Sequence, residues 1–318
     1  MDVRPLDWRD LPALHRNRRN SIFLNSTLLL TRGPMLISGA LFSYLVPSMG
    51  VFTCVSNGDE GDKQKLIGQT VHRQGSQFSH LTFITPNTGI DSSAFNVLVE
   101  YLMKVSGSRG AQRLLADVEE RDDVFEVLRR SSFATYTRQR VWHFNSRSNV
   151  DASETAWRAA KSIDAHDVRV LYHNLVPGMV QQVEPLSMEK PHRLIYRQDG
   201  EILAYVELIY GHRGIWAQPF VHPDTQNLEG RLDDLIMNMP NRRSRAVYVC
   251  VRSYQPWLEH ALEELGAEPG PSQAVMVKHL AVQKKVELPL EVPTIEGSRP
   301  EVTASIANSG NGDSSLVR

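Results

Sequence analysis

A segment of this chain occurs twice. Residues 114–144 and 247–280 each read as a short apolar run, a polar break, an amphipathic helix ending near a small residue, and an alternating strand. Val118 matches Val251, Phe125 matches Leu258, and Phe133 matches Ala267 after a one-residue slip. A β-α-β unit used twice makes a tandem protein, because one unit alone cannot bury its apolar face.

The surrounding pattern extends the unit to a whole half. Val3-Arg4-Pro5-Leu6 reads as a strand, and Asp10 as an N-cap for a helix through Leu11 and Leu14. A further helix is expected over 35–45, strands over 51–55, 66–72 and 80–85, a hairpin loop over 57–62 and a helix over 91–105. In the second half, His192 to Arg197, Asp199-Gly200 and Glu201 to Tyr210 form a strong hairpin signal. A strand over 215–221 and a helix over 227–239 lead into the second copy. The expected fold class is α/β with a mixed sheet. The expected organisation is a first domain over 1–144, a linker over 145–159, a second domain over 160–283 and a polar tail over 284–318.

Composition bounds the function classes. With 318 residues, 41% hydrophobic and 22% charged, the chain is long enough for two globular domains. A formal net charge of −1 gives no global field selecting nucleic acid or an anionic membrane. The 2 cysteines, Cys54 and Cys250, lie in apolar strand-like runs, so a disulfide framework is not expected and the reading is cytoplasmic. No metal is expected, since the histidines lack helical ligand spacing. Residues 35–55 carry no charge over about a membrane's span, but Gly39, Pro47 and Gly50 interrupt them, and they read as a buried helix and strand.

This order of elements, with these sequences, resembles the GNAT acyltransferase superfamily, in two tandem copies. Val3 to Leu6 with Asp10 to Leu14 is similar to the family's opening strand and helix. Phe83-Ile84-Thr85-Pro86 and Phe220-Val221-His222-Pro223 look like the end of its fourth strand. The resemblance implies acetyl-CoA or another acyl-CoA as co-substrate, and transfer of the acyl group to an amine on a small molecule or protein. It implies a pyrophosphate loop of Gln or Arg, two residues, Gly, one residue, then Gly or Ala, at a helix N-terminus. In the first half only Ala94 fits. In the second, Gln226 fits and Glu229 stands where Gly belongs; shifting by one gives Asn227 and Gly230, with Arg231 as a phosphate partner. Phe220, Val221, Gln226, Asn227, Gly230 and Arg231 are the expected cofactor contacts. The family's leaving-group Tyr is replaced by Leu128 and Leu262, with Tyr254 close to the second position. His80 and Glu207, on central strands, are the expected bases. The alternative is a GNAT-fold binding or scaffold protein that has lost the loop. The internal pseudo-dimer makes a monomer the expected state.

Overall fold

The structure, a computed structural model, describes residues 3–33, 50–56, 65–90, 92–144, 155–187 and 192–280. The helix expected over 35–45, the loop over 57–62, most of the linker and the tail lie outside the described residues.

The first half contributes strands β1 (Val3–Pro5), β2 (Ile22–Phe23), β3 (Val51–Ser56), β4 (Leu66–His72), β5 (Phe78–Thr85), β6 (Arg113–Glu119) and β7 (Ala134–Phe144). Its helices are α1 (Leu11–Asn17), α2 (Ser26–Arg32), α3 (Ser93–Gly107) and α4 (Asp123–Arg130). The second half contributes β8 (Trp157–Ala159), α5 (Ala165–Leu175), α6 (Gly178–Val183), β9 (Arg193–Gln198), β10 (Glu201–Tyr210), β11 (Gly214–Val221), α7 (Leu228–Met237), β12 (Ala246–Arg252), α8 (Trp257–Glu264) and β13 (Glu268–His279). The predicted hairpin is present, with Asp199 and Gly200 both at positive φ, as a two-residue turn requires. Residues 157–159, within the expected linker, form β8 at the sheet edge.

All the strands lie in one sheet, ordered β1-β3-β4-β5-β6-β13-β7-β12-β11-β10-β9-β8, with β2 beside β5. The order is a palindrome of the two halves about its centre. The sequence reading has each half closed by its own last strand; the structure corrects this. β7 pairs with β12 of the second half, and β13 pairs with β6 of the first. The two exchanged strands then pair with each other, with Gln139 opposite Gln273. The described part of the chain accordingly falls within one compact unit, residues 1–282.

Side-chain period explains the layers. On the back face, Phe95, Leu98 and Leu102 of α3 follow helical spacing and pack on Ala116, Val118, Ala274 and Met276. Leu128 lies in this core with no exposed surface. Leu262 lies in the matching core of the second half, against Val249, Val251 and Trp142. The front face is covered by α1 and by α5 with α6, while α2 crosses from the first half to pack Leu30 on Trp216 and Cys250. Gly211 permits that crossing: a Cβ there would lie 2.2 Å from the Thr31 carbonyl oxygen.

A second repeat, unseen in the sequence reading, anchors each first strand. Asp10 does not cap α1 with its side chain; its carboxylate takes a two-pronged bond from Arg4 at 2.7 and 2.9 Å and the Asp7 N–H at 3.1 Å. Asp164 does the same with Arg158 at 2.8 and 2.6 Å and the Lys161 N–H at 2.8 Å. Arg158, the Lys161 N–H and Arg197 hold the Asp164 carboxyl well below the usual range, against its burial. A depressed carboxylate contributes stability above its unfolded pKa, and this is lost as pH falls through the acid range. Asp164→Asn is therefore expected to cost about 1–3 kcal/mol at pH 7, since its arginine partners are partly screened by solvent. Denaturant midpoints of wild type and variant should converge as the pH is lowered from 5 to 2; a constant difference would contradict this.

Candidate functional site

Mixed sheets place ligands where parallel neighbours splay apart. Among the described residues there are two such places. β5 and β6 pair in parallel only from Phe78 to His80, and β11 and β12 only from Gly214 to Ala217. Beyond these residues the strands diverge and leave main-chain groups facing a gap.

In the first half the chain fills its own gap. β2 pairs with β5 at Ile84 and Phe83. Next along, the Leu24 N–H donates to the Thr82 carbonyl and the Asp117 N–H donates to the Leu24 carbonyl, both at 2.9 Å. Leu24 is fully buried. The start of α2 then locks in place, because the Ser26 N–H donates to Asp117 Oδ2 at 2.9 Å and the Asn25 side chain caps Leu28.

In the second half a single side chain fills the gap. Gln255, fully buried, donates from Nε2 to the Pro219 carbonyl at 3.0 Å and accepts from the Val221 N–H at 2.9 Å. Pro219 lacks an N–H, and its position on this unpaired edge of β11 leaves no ladder bond broken. Phe220 and Val221, expected cofactor contacts, are thus on the edge that frames the gap.

The expected phosphate loop is occupied by the chain's own bonds. Asn227 caps α7 in the left-handed conformation and accepts from the Gly230 N–H at 3.3 Å. The Gln226 N–H donates to Gln198 at 3.1 Å. The Arg231 guanidinium lies 4.8 Å from the centre of the Tyr196 ring rather than over the loop. Asp224 and Glu229 add negative charge close by.

A polar band crosses the front face at the junction of the halves. Ser26 Oγ and Gln139 Nε2 both donate to Gln273 Oε1 at 2.9 Å. Cys250 Sγ donates to Gln139 Oε1 at 3.3 Å, and burial pushes this thiol up to about 12, so it keeps its proton. Next to this chain lies an ion pair. Arg252 Nη2 donates to both oxygens of Glu184, at 2.9 and 3.1 Å. The Tyr136 hydroxyl donates to the same carboxylate, and the Tyr172 hydroxyl to the Glu184 carbonyl at 2.6 Å. Burial works against the charge on Arg252, but Glu184 more than offsets it and raises the pKa well above the ordinary value.

His80 and Tyr254 border this ion pair. The imidazole is crowded by protein and half-buried. Burial lowers its pKa, against Asp117 and Glu184, and keeps it neutral; its Nδ1 meets no partner among the described residues. Burial raises Tyr254, which packs at the edge of the Tyr172 and Phe220 cluster. Glu207, buried on β10, accepts from the Tyr205 hydroxyl at 3.1 Å, with Arg193 opposite on β9, and its charge is felt at Tyr172. The sequence reading missed Glu184 and Arg252. Both carried a signal: an acid at the C-terminus of an apolar helix, where the dipole disfavours it, and a lone charge ending the run Val247 to Val251.

No protein-family model matches the chain, and no curated protein does. Solved structures resemble it in fold. A GCN5-related N-acetyltransferase from Sphaerobacter thermophilus is 12% identical with a TM-score of 0.48, over 88% of this chain and 96% of its own. A tandem GNAT protein from the clavulanic acid biosynthesis pathway is 11% identical with a TM-score of 0.46, over 88% and 99%. A putative acetyltransferase from Pyrococcus horikoshii is 10% identical with a TM-score of 0.49, over 90% and 91%. The fold is a mixed α/β one in which two like halves share a single sheet. That statement rests on the two antiparallel meanders, the two splayed parallel pairs and the two strand-helix-strand closures described above. Among the described residues no helix is long and apolar enough to cross a membrane.

Proposed function

We propose that the chain is an acyl-CoA-dependent N-acyltransferase with one working half, the second, in which Gln255 holds the place of the acyl-CoA arm. The observation that carries this is the difference between the two plugs. In the first half the gap is filled by main chain, and clearing it means undoing β2, the α2 cap and the Ser26–Asp117 bond. In the second half it is filled by one carboxamide. An extended ligand with its own amides can make the same two bonds to Val221 and Pro219, so displacement leaves neither group unsatisfied. Asp224 and Glu229 oppose a pyrophosphate at the loop, and Arg231 would have to leave Tyr196 to offset them.

Bound acyl-CoA would supply an activated thioester. The amine nitrogen bonds to the carbonyl carbon, the carbon–sulfur bond breaks, the amine loses a proton and the thiolate gains one. Tyr254, beside Gln255 and kept protonated by burial, is the proton donor. His80, kept neutral by burial and retaining some accessible surface, is the proton acceptor. Glu207, tied to Tyr205, takes no part.

Acetyl-CoA should raise the melting temperature, by the equivalent of about 2.7 kcal/mol at a hundredfold excess over Kd. Gln255→Ala should bind more tightly, as the plug is gone, while Gln255→Trp should abolish the shift. Absence of a shift in both wild type and Gln255→Ala would leave the scaffold reading in its place.

A further inference from the structure

The back face of the sheet holds a cavity of about 110 Å³ over its three central strands, lined by Arg138, Gln139, Arg140, Ser253, Glu259 and Ser272. Irregular pairing makes room for it. β12 ends its ladder with β7 at Arg252 opposite Gln139, and the Ser253 N–H then donates to the Arg138 carbonyl at 2.9 Å. On the other side β13 slips against β7 between Pro269 and Ser272. Arg138 and Arg140 are two residues apart on β7 and point the same way, to the side of Trp142 in the back core. Each guanidinium is held at one nitrogen. Arg138 Nε donates to Glu120 at 2.7 Å, and Arg140 Nη1 donates to Glu259 at 2.8 Å. Arg140 Nε is enclosed and takes no part. Both Nη groups of Arg138, Nη2 of Arg140 and the hydroxyls of Ser253 and Ser272 have no protein partner among the described residues. These side chains are open to solvent: Arg138 is 59% exposed, and both serines are exposed. The lining selects a ligand. Two cations, two hydroxyls and one carboxylate, with no apolar side chain, suit a group that presents acceptors all round. The donors come from three strands and not from one plane, which fits a tetrahedral oxyanion better than a flat carboxylate. At about 30 Å³ for each water in the liquid, the space equals three or four waters, room for one such group.

We propose that this cavity binds a phosphate group, its oxygens accepting from the free Nη groups of Arg138 and Arg140 and from the hydroxyls of Ser253 and Ser272. Glu120 does not line the cavity, whereas Glu259 does and opposes the anion. The site lies apart from the gap held by Gln255 and needs no acyl-CoA, so it stands or falls without the acyltransferase reading.

The test is calorimetric titration of the whole chain, without acyl-CoA and at constant ionic strength, with inorganic phosphate and with glycerol 1-phosphate. At least one should bind with a Kd of about 1 mM or tighter. Tighter binding of glycerol 1-phosphate marks a site for a phosphorylated molecule, and binding of inorganic phosphate alone marks a site for the free ion; both support the phosphate chemistry. Arg138→Gln and Arg140→Gln should each weaken binding about tenfold. Glu259→Gln should tighten it severalfold, because it removes the one opposing charge; a variant that merely folds poorly cannot give that sign. Arg231→Gln, at the expected acyl-CoA loop, should leave it unchanged. No heat from either compound up to about 20 mM would overturn the proposal. So would binding lost in Arg231→Gln but kept in Arg138→Gln with Arg140→Gln, or binding weakened by Glu259→Gln.

Discussion

Residues 1–144 and 155–282, produced separately, are expected to show no cooperative unfolding transition, and to recover one when produced together. The reason is the strand exchange. β13 completes the first half's sheet and β7 the second's, so each fragment lacks an interior strand. Self-closure would require β7 to take the place of β13 beside β6. Gln139 and Gln273 hold equivalent posts, opposite Arg252 and Glu119 respectively. Aligning them would carry Arg140 to the site of Ala274, which is fully buried against Val118. Trp142 would fall on the site of Met276, beside Ala116. Arg140 is now on the back face, 38% exposed and paired with Glu259 at 2.8 Å. Burying it unpaired would cost several kcal/mol, comparable to much of a domain's stability. The reverse substitution puts Met276 where Trp142 packs and leaves a cavity. Far-ultraviolet dichroism and thermal melts of each fragment and of the co-expressed pair would check this. Two independently cooperative halves would show that the exchange is dispensable.

That exchange also marks the limit of what was legible in the sequence. Local pattern was enough for the hairpin at Asp199-Gly200, for α3 with its buried Phe95, Leu98 and Leu102, and for the repeat itself. Local pattern could not assign β7 and β13 to their neighbours. A strand's alternation says which residues share a face, and not which strand lies alongside. The same holds at the gaps. Nothing in the run Ile22 to Asn25 announces a strand inserted between β5 and β6, and Gln255 reads as one more polar residue before Pro256. Asp10 looked like a cap because caps are local, whereas its partner Arg4 is reached across a turn. His80 and Tyr254 were chosen from their positions on or just after central strands, and the fold sets both near Arg252 and Glu184. Glu207 was chosen by the same argument, and the fold sets it beside Tyr205 on its own strand.

Glu184→Ala is expected to destabilise the fold by about 3–5 kcal/mol, the range for breaking a buried ion pair from one side. Glu184 is the only partner shown for Arg252 Nη2, and the guanidinium already has two groups without acceptors. Removing the carboxylate would leave a buried cation with none, and would strip the acceptor from the Tyr136 hydroxyl as well. Glu184→Gln should cost less, since an amide oxygen still accepts, but it loses the charge that offsets the burial of the Arg252 cation. Arg252→Met in the Glu184→Ala background should recover part of the loss, because it removes the orphaned charge and fills space with an apolar chain. The coupling from such a double-mutant cycle, read from denaturant midpoints, separates the pair from the two residues taken singly. A loss under about 1 kcal/mol for Glu184→Ala would mean that Arg252 finds water once freed.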